Sequence, residues 1–77
     1  SAAKTRAYDQ RLLPAAEAML STTRSDFSTG RASFADLLEA ERALLELERA
    51  RIDAAVQTHL YAVEALGLLG RLPQEVP

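Results

Sequence analysis

The segment Phe27-Ser28-Thr29-Gly30-Arg31-Ala32-Ser33-Phe34-Ala35-Asp36 holds the only clear break in an otherwise helix-forming sequence. Gly30 suits the left-handed position just past a helix end, where a Cβ is strained. Ser33 is a good N-cap, and Asp36 follows it by three residues. That is the spacing of a capping box, with Asp in place of the usual Glu, and a carboxylate favours the positive start of a helix. One helix therefore ends near Thr29 and another starts near Phe34. A linker of residues 30–33 is short enough that the two run antiparallel and touch.

Outward from the turn, the second helix is expected over about 34–69, which is roughly 50–55 Å at 1.5 Å per residue. It contains no proline, Gly67 is its only interior glycine, and Gly70 with Pro73 supplies a stop. Leu38, Leu45, Ile52, His59 and Leu66 recur every seven residues, and Phe34, Leu37, Leu44, Ala55, Val56, Val63 and Leu69 widen the stripe. A sustained seven-residue repeat implies packing along a continuous seam. The first helix is expected over about 3–29. Leu13, Leu20 and Phe27 share one row, and Leu12 and Met19 share the next. Pro14 lacks an N–H and crowds the preceding turn, so it either starts the main helix or bends a longer one. Residues 70–77 are expected as a tail.

Length and composition agree with an all-α antiparallel helical hairpin of coiled-coil character. The 77 residues allow one small domain, and a lone pair of helices buries little surface. Alanine and leucine dominate the apolar residues, while glycine and proline are too few for a β-protein with many turns. Without cysteine there is no disulfide and no thiolate metal site. Stability is thus expected to come from partners. A net charge of −2 gives no basic footprint for nucleic acid. The N-terminal residues carry no apolar signal-peptide core, and no run of about 20 apolar residues is available to span a bilayer.

No residue set suggests catalysis. His59 stands alone on the seven-residue row, where a packing or interhelical hydrogen-bonding role is expected, since zinc needs three or four clustered ligands. Glu64 follows it by five residues and adds no metal pair. Ser21, Thr22, Thr23 and Ser25 form a polar patch with no histidine near in sequence. No glycine-rich phosphate loop is present. Neither a cofactor nor a metal is expected, and the chain is not read as an enzyme. Glu41, Glu46, Glu48, Arg49 and Arg51 make a mixed-sign, solvated surface. Asp36, Glu39 and Arg42 lie on one helical flank near the turn. The two carboxylates complement the helix start; repeated around an oligomer axis, they would form an acidic ring, a way to bias a pore toward cations.

Residues 27–42 resemble the turn signature of the TolC-type outer-membrane efflux factors. In that family an aromatic residue precedes a Gly by three positions, then come Ser or Thr, an apolar residue, and an Asp-apolar-Leu-acidic-Ala run. Phe27, Gly30, Ser33, Phe34, Asp36, Leu37, Leu38, Glu39 and Ala40 take those places. Leu12-Leu13-Pro14-Ala15-Ala16-Glu17 is similar to the family's opening of the preceding helix, and Ala65-Leu66-Gly67-Leu68-Leu69-Gly70 to the close of the following one. The likeness covers about residues 8–70 and is nearest to heavy-metal efflux members. It implies a trimeric channel with an outer-membrane β-barrel and a long periplasmic α-barrel, in a Gram-negative bacterium. This hairpin would be the second periplasmic helix pair. The turn would lie at the periplasmic entrance, with Asp36 and Glu39 as the acidic ring and Gly30, Arg31, Ala32 and Ser33 meeting an adaptor protein that couples to an inner-membrane pump. Phe27 replaces the family's usual Tyr, Glu39 a common Asp, and Glu41 a common Gln. Ala32 stands where some members carry a basic residue.

Two other classes compete with this transport role. A stand-alone hairpin that self-associates through its seam is compatible with the composition but leaves the turn signature unexplained. A small helical enzyme working as an intertwined dimer lacks a convergent polar cluster. In isolation the chain is expected to dimerise or form a small bundle, because its apolar stripe needs cover.

Overall fold

The computed structural model describes residues 1–71. They form two helical arms joined by one turn, an all-α antiparallel hairpin. The first arm comprises α1 (Ala2–Ala7), a π-helical turn (Tyr8–Leu12) and α2 (Leu13–Ser28), and the second is α3 (Phe34–Arg71). α3 passes through Gly70, the expected stop; residues 72–77, with Pro73 and most of the expected tail, lie outside the described residues. The molecule is a rod of 70 × 20 × 9 Å. Its radius of gyration is 19.8 Å, against roughly 11–12 Å for a compact chain of this length.

Pro14 stands in the first turn of α2, directly after an irregular turn. A proline ring clashes with the carbonyl four residues earlier and donates no hydrogen bond to it. Just before it the chain widens to a π turn, in which the Leu13 N–H bonds to the Tyr8 carbonyl five residues back. The widening inserts one residue into the helical register. Counting back by sevens from Leu20 and Leu13 would bring Arg6 to the inner face. With the insertion, Thr5 and Tyr8 are half-buried instead, and Arg6 and Asp9 stay exposed.

The arms meet along a row different from the one the seven-residue pattern suggested. On α3, Leu37, Leu44, Arg51 and Thr58 are half-buried, flanked by buried Ala40 and Ala54. The row Leu38, Leu45, Ile52, His59 and Leu66 lies one residue further round the helix and is exposed throughout, Ile52 by 54% and Leu66 by 70%. His59 therefore fills no packing role in this hairpin. Leu37 and Leu44, read as the edge of the stripe, are at its packed centre. The first arm answers with Leu13, Ala16, Leu20 and Thr23, of which Leu20 is the most buried at 6%. Small residues win on the inner row because Ala40 and Ala54 let the two backbones approach, whereas larger side chains there would hold the arms apart.

The resulting core is thin. Among the described residues only Leu20, Ala40 and Ala54 are buried apolar side chains. The chain exposes 6041 Å², where a compact monomer of 8.4 kDa exposes about 4600 Å². Polar contacts at the rims pin the register. Asp9 meets Arg51 near the foot of the hairpin, and Arg24 Nη2 lies 3.9 Å from Glu41 Oε1 nearer the turn.

Candidate functional site

The turn is built by two interlocking caps. Thr29 closes α2, and Gly30 follows with φ +77°, the left-handed region. The Gly30 N–H donates to the Phe27 carbonyl at 3.1 Å, and the Arg31 N–H to the Asp26 carbonyl at 2.7 Å. These are the two bonds of a Schellman close, and they satisfy carbonyls that the helix end leaves free. The opening of α3 is a reciprocal box. The Asp36 N–H donates to Ser33 Oγ at 3.0 Å, and the Ser33 N–H donates to Asp36 Oδ2 at 2.9 Å. Phe27 and Phe34 face each other across the reversal, with ring centroids 6.1 Å apart and planes tilted by 53°. That separation lies in the favourable range for aromatic pairs and clamps the two helix ends together.

Gly30, Arg31 and Ser33 are exposed at the tip, and Ala32 is half-buried beneath them. Arg31 Nε lies 3.8 Å from Asp26 Oδ1, so its guanidinium leans back along α2. Asp36 and Glu39 are both exposed and share a shallow groove with Met19, Thr23, Ala40 and Ala43. The two acids thus stand side by side on one flank, just behind the tip. The Ser33 N–H, and then its hydroxyl, hold the Asp36 carboxyl below its ordinary value, against a small opposing effect of lost water. Asp36 therefore carries full negative charge at neutral pH with one oxygen committed to the cap.

Among the described residues no group of three or more His, Cys, Asp or Glu is placed to hold a metal ion. His59 is exposed on the outer row of α3, remote from the turn. In the polar patch of α2, the Thr23 hydroxyl donates to the Met19 carbonyl at 2.8 Å and the Ser25 carbonyl accepts from the Ser28 hydroxyl at 2.7 Å, bonds within one helix. The grooves along the hairpin are open to solvent. The one between the start of the first arm and α3 is lined by Ala2, Thr5, Arg6, Asp9, Gln10, Ala55 and Thr58. No helix among the described residues is long and apolar enough to cross a membrane.

The sequence had not suggested the pairing of Asp9 with Arg51. Asp9 lies within the π turn, whose extra residue shifts the register of the first arm and leaves it opposite Arg51. No protein-family model, curated protein or solved structure matches the chain.

Proposed function

We propose that this hairpin is the entrance segment of the periplasmic tunnel of a trimeric outer-membrane efflux channel. Such a channel exports small molecules or metal ions together with an adaptor and an inner-membrane pump. The observation that carries the reading is the tip. Five of the residues that resemble the efflux-factor signature have a structural task in a tight reversal: Gly30 follows the end of α2, Ser33 and Asp36 open α3, and Phe27 meets Phe34. Asp36 and Glu39 stand exposed on one flank beside that reversal. Three such flanks around an axis give six carboxylates at the mouth, a negative collar that concentrates cations and slows their exit. Gly30, Arg31 and Ser33, exposed at the tip above half-buried Ala32, are the surface we assign to an adaptor.

A thin core also supports this role. A rod with one packed seam and an exposed apolar row suits a barrel wall, where each helix has neighbours on two sides.

The test is electrical, on the intact channel that contains this hairpin, in planar bilayers. Divalent cations added on the entrance side are expected to block current, and Asp36→Asn with Glu39→Gln is expected to relieve the block and lower cation selectivity. Unchanged block and selectivity would remove the acidic ring. Absence of any conducting species would remove the channel reading in favour of a self-associating hairpin module.

A further inference from the structure

The outer row of α3 has an internal repeat that the hairpin itself does not use. Leu38-Glu39-Ala40-Glu41-Arg42 is followed seven residues on by Leu45-Glu46-Leu47-Glu48-Arg49, and Ile52-Asp53 begins a third cycle. In each full cycle the middle residue, Ala40 or Leu47, turns toward the first arm, while the leading leucine, the first glutamate and the arginine stay exposed. Two shallow grooves lie in line along this flank. One is lined by Ala35, Leu38, Glu39 and Arg42, and the next by Arg42, Leu45, Glu46 and Arg49. Their spacing of i, i+3, i+4 and i+7 is that of the four-residue hole that accepts a side-chain knob from a facing helix. They are one heptad apart, and each is lined by a leucine, a glutamate and at least one arginine.

We propose that this flank is a docking seam for the same flank of a second copy, with the two α3 helices antiparallel. An occupant must bring apolar knobs at seven-residue spacing and charges of both signs, and this row supplies both. The first arm exposes Leu12, Met19 and Phe27 as large apolar groups, and Phe27 is engaged with Phe34, so too few are left to fill the row. A parallel, in-register pair would set Arg42 on Arg42 and Arg49 on Arg49 and align the helix dipoles unfavourably. Antiparallel pairing separates the like residues and lets arginine knobs enter holes rimmed by Glu39, Glu46 or Asp53. From Leu38 to Leu66 the strip is roughly 40 Å long and 10 Å wide. A pair thus covers on the order of 800 Å² in total, below the range of stable specific interfaces, so the dimer is weak and reversible. This pairing belongs to the chain by itself and does not depend on the channel reading.

Sedimentation equilibrium of the 77-residue chain across the micromolar range tests it. The wild type is expected to pass from monomer to dimer. Leu45→Asp with Ile52→Asp is expected to weaken that association at least about tenfold while the circular dichroism stays helical, because both positions are already exposed. Ala18→Asp, exposed on α2 and lining neither groove, is expected to leave it unchanged. A chain with Arg42→Glu and Arg49→Glu should pair with a chain bearing Glu39→Arg and Glu46→Arg better than either pairs with itself. A nitroxide at Ser28 reports orientation, because antiparallel seating holds the two turns far apart. A monomer at all concentrations, a dimer indifferent to the Leu45 and Ile52 changes, or turns held close together would overturn the proposal. None of these outcomes bears on conduction by the intact channel.

Discussion

Arg51 reaches across the hairpin to Asp9, Nε to Oδ1 at 2.9 Å and Nη2 to Oδ2 at 3.3 Å, and so joins residues 42 positions apart in sequence. A two-pronged contact of this kind fixes the lengthwise register of the arms as well as attracting them. Asp9 is available for it because the π turn ahead of Pro14 keeps that residue on the rim. Both side chains are partly exposed, so the pair is screened by salt and sets alignment more than overall stability.

Acid should loosen the hairpin through Asp9 and Asp36 together. Hydrogen bonds from Arg51 chiefly hold the Asp9 carboxyl below its ordinary 3.8, and the Ser33 cap does the same for Asp36. Each folded value is depressed, so the unfolded chain takes up protons first. The stability they contribute is complete above the unfolded value and is lost as pH falls through it toward the folded value. Thermal melts followed by circular dichroism should drop as pH is lowered from neutral toward about 2, and Asp9→Asn with Asp36→Asn should flatten that drop.

Two glycine substitutions are expected to act with opposite sign. Gly30→Ala places a Cβ on a backbone at φ +77°, with no neighbour within 4 Å to clash, so the penalty is purely conformational, about 1–2 kcal/mol. Gly67→Ala lies within α3, again with open space around it, and gains helix propensity of roughly 0.5–1 kcal/mol. Denaturant unfolding of the two variants beside the wild type checks both signs.

Removing the cap hydroxyl is a separate test of the turn. Ser33→Ala leaves the Asp36 N–H without its partner and should destabilise by about 1 kcal/mol. Ser33→Asn, which can also cap, should recover most of the loss in the same unfolding measurement.

The inner row should tolerate less than the outer row. Leu20→Ala removes the most buried large side chain, at an expected loss of about 2–3 kcal/mol. Leu45→Ala removes an exposed one and should change dilute monomer stability by less than about 0.5 kcal/mol. Chemical denaturation at low protein concentration separates these from any effect on pairing.

The turn was legible in the sequence because its chemistry is local. Gly30, Ser33 and Asp36 act within a few residues of themselves, and spacing alone reveals their bonds. The identity of the packed row was not legible. Leu38, Leu45, Ile52 and Leu66 form the more apolar line, yet the arms meet on Leu37, Leu44, Arg51 and Thr58 beside two alanines. Close approach of backbones selects for small residues, and hydrophobicity by itself does not register that. The two rows are adjacent, so one helix carries both an occupied seam and a free one. Pro14 left a choice between starting and bending a helix because a π turn can do both. The acids of the tip were visible as charges near a helix start, but their exposure on a common flank needed the fold.

The most direct measurement of the reversal is a pulsed electron-spin distance between nitroxides at Glu17 and Glu46, with the labelled chain diluted in unlabelled protein. Folding back at Gly30 sets these positions on neighbouring helices, so a distance of roughly 10–20 Å is expected. A continuous helix through that glycine would separate them by about 44 Å, and such a value would contradict the hairpin.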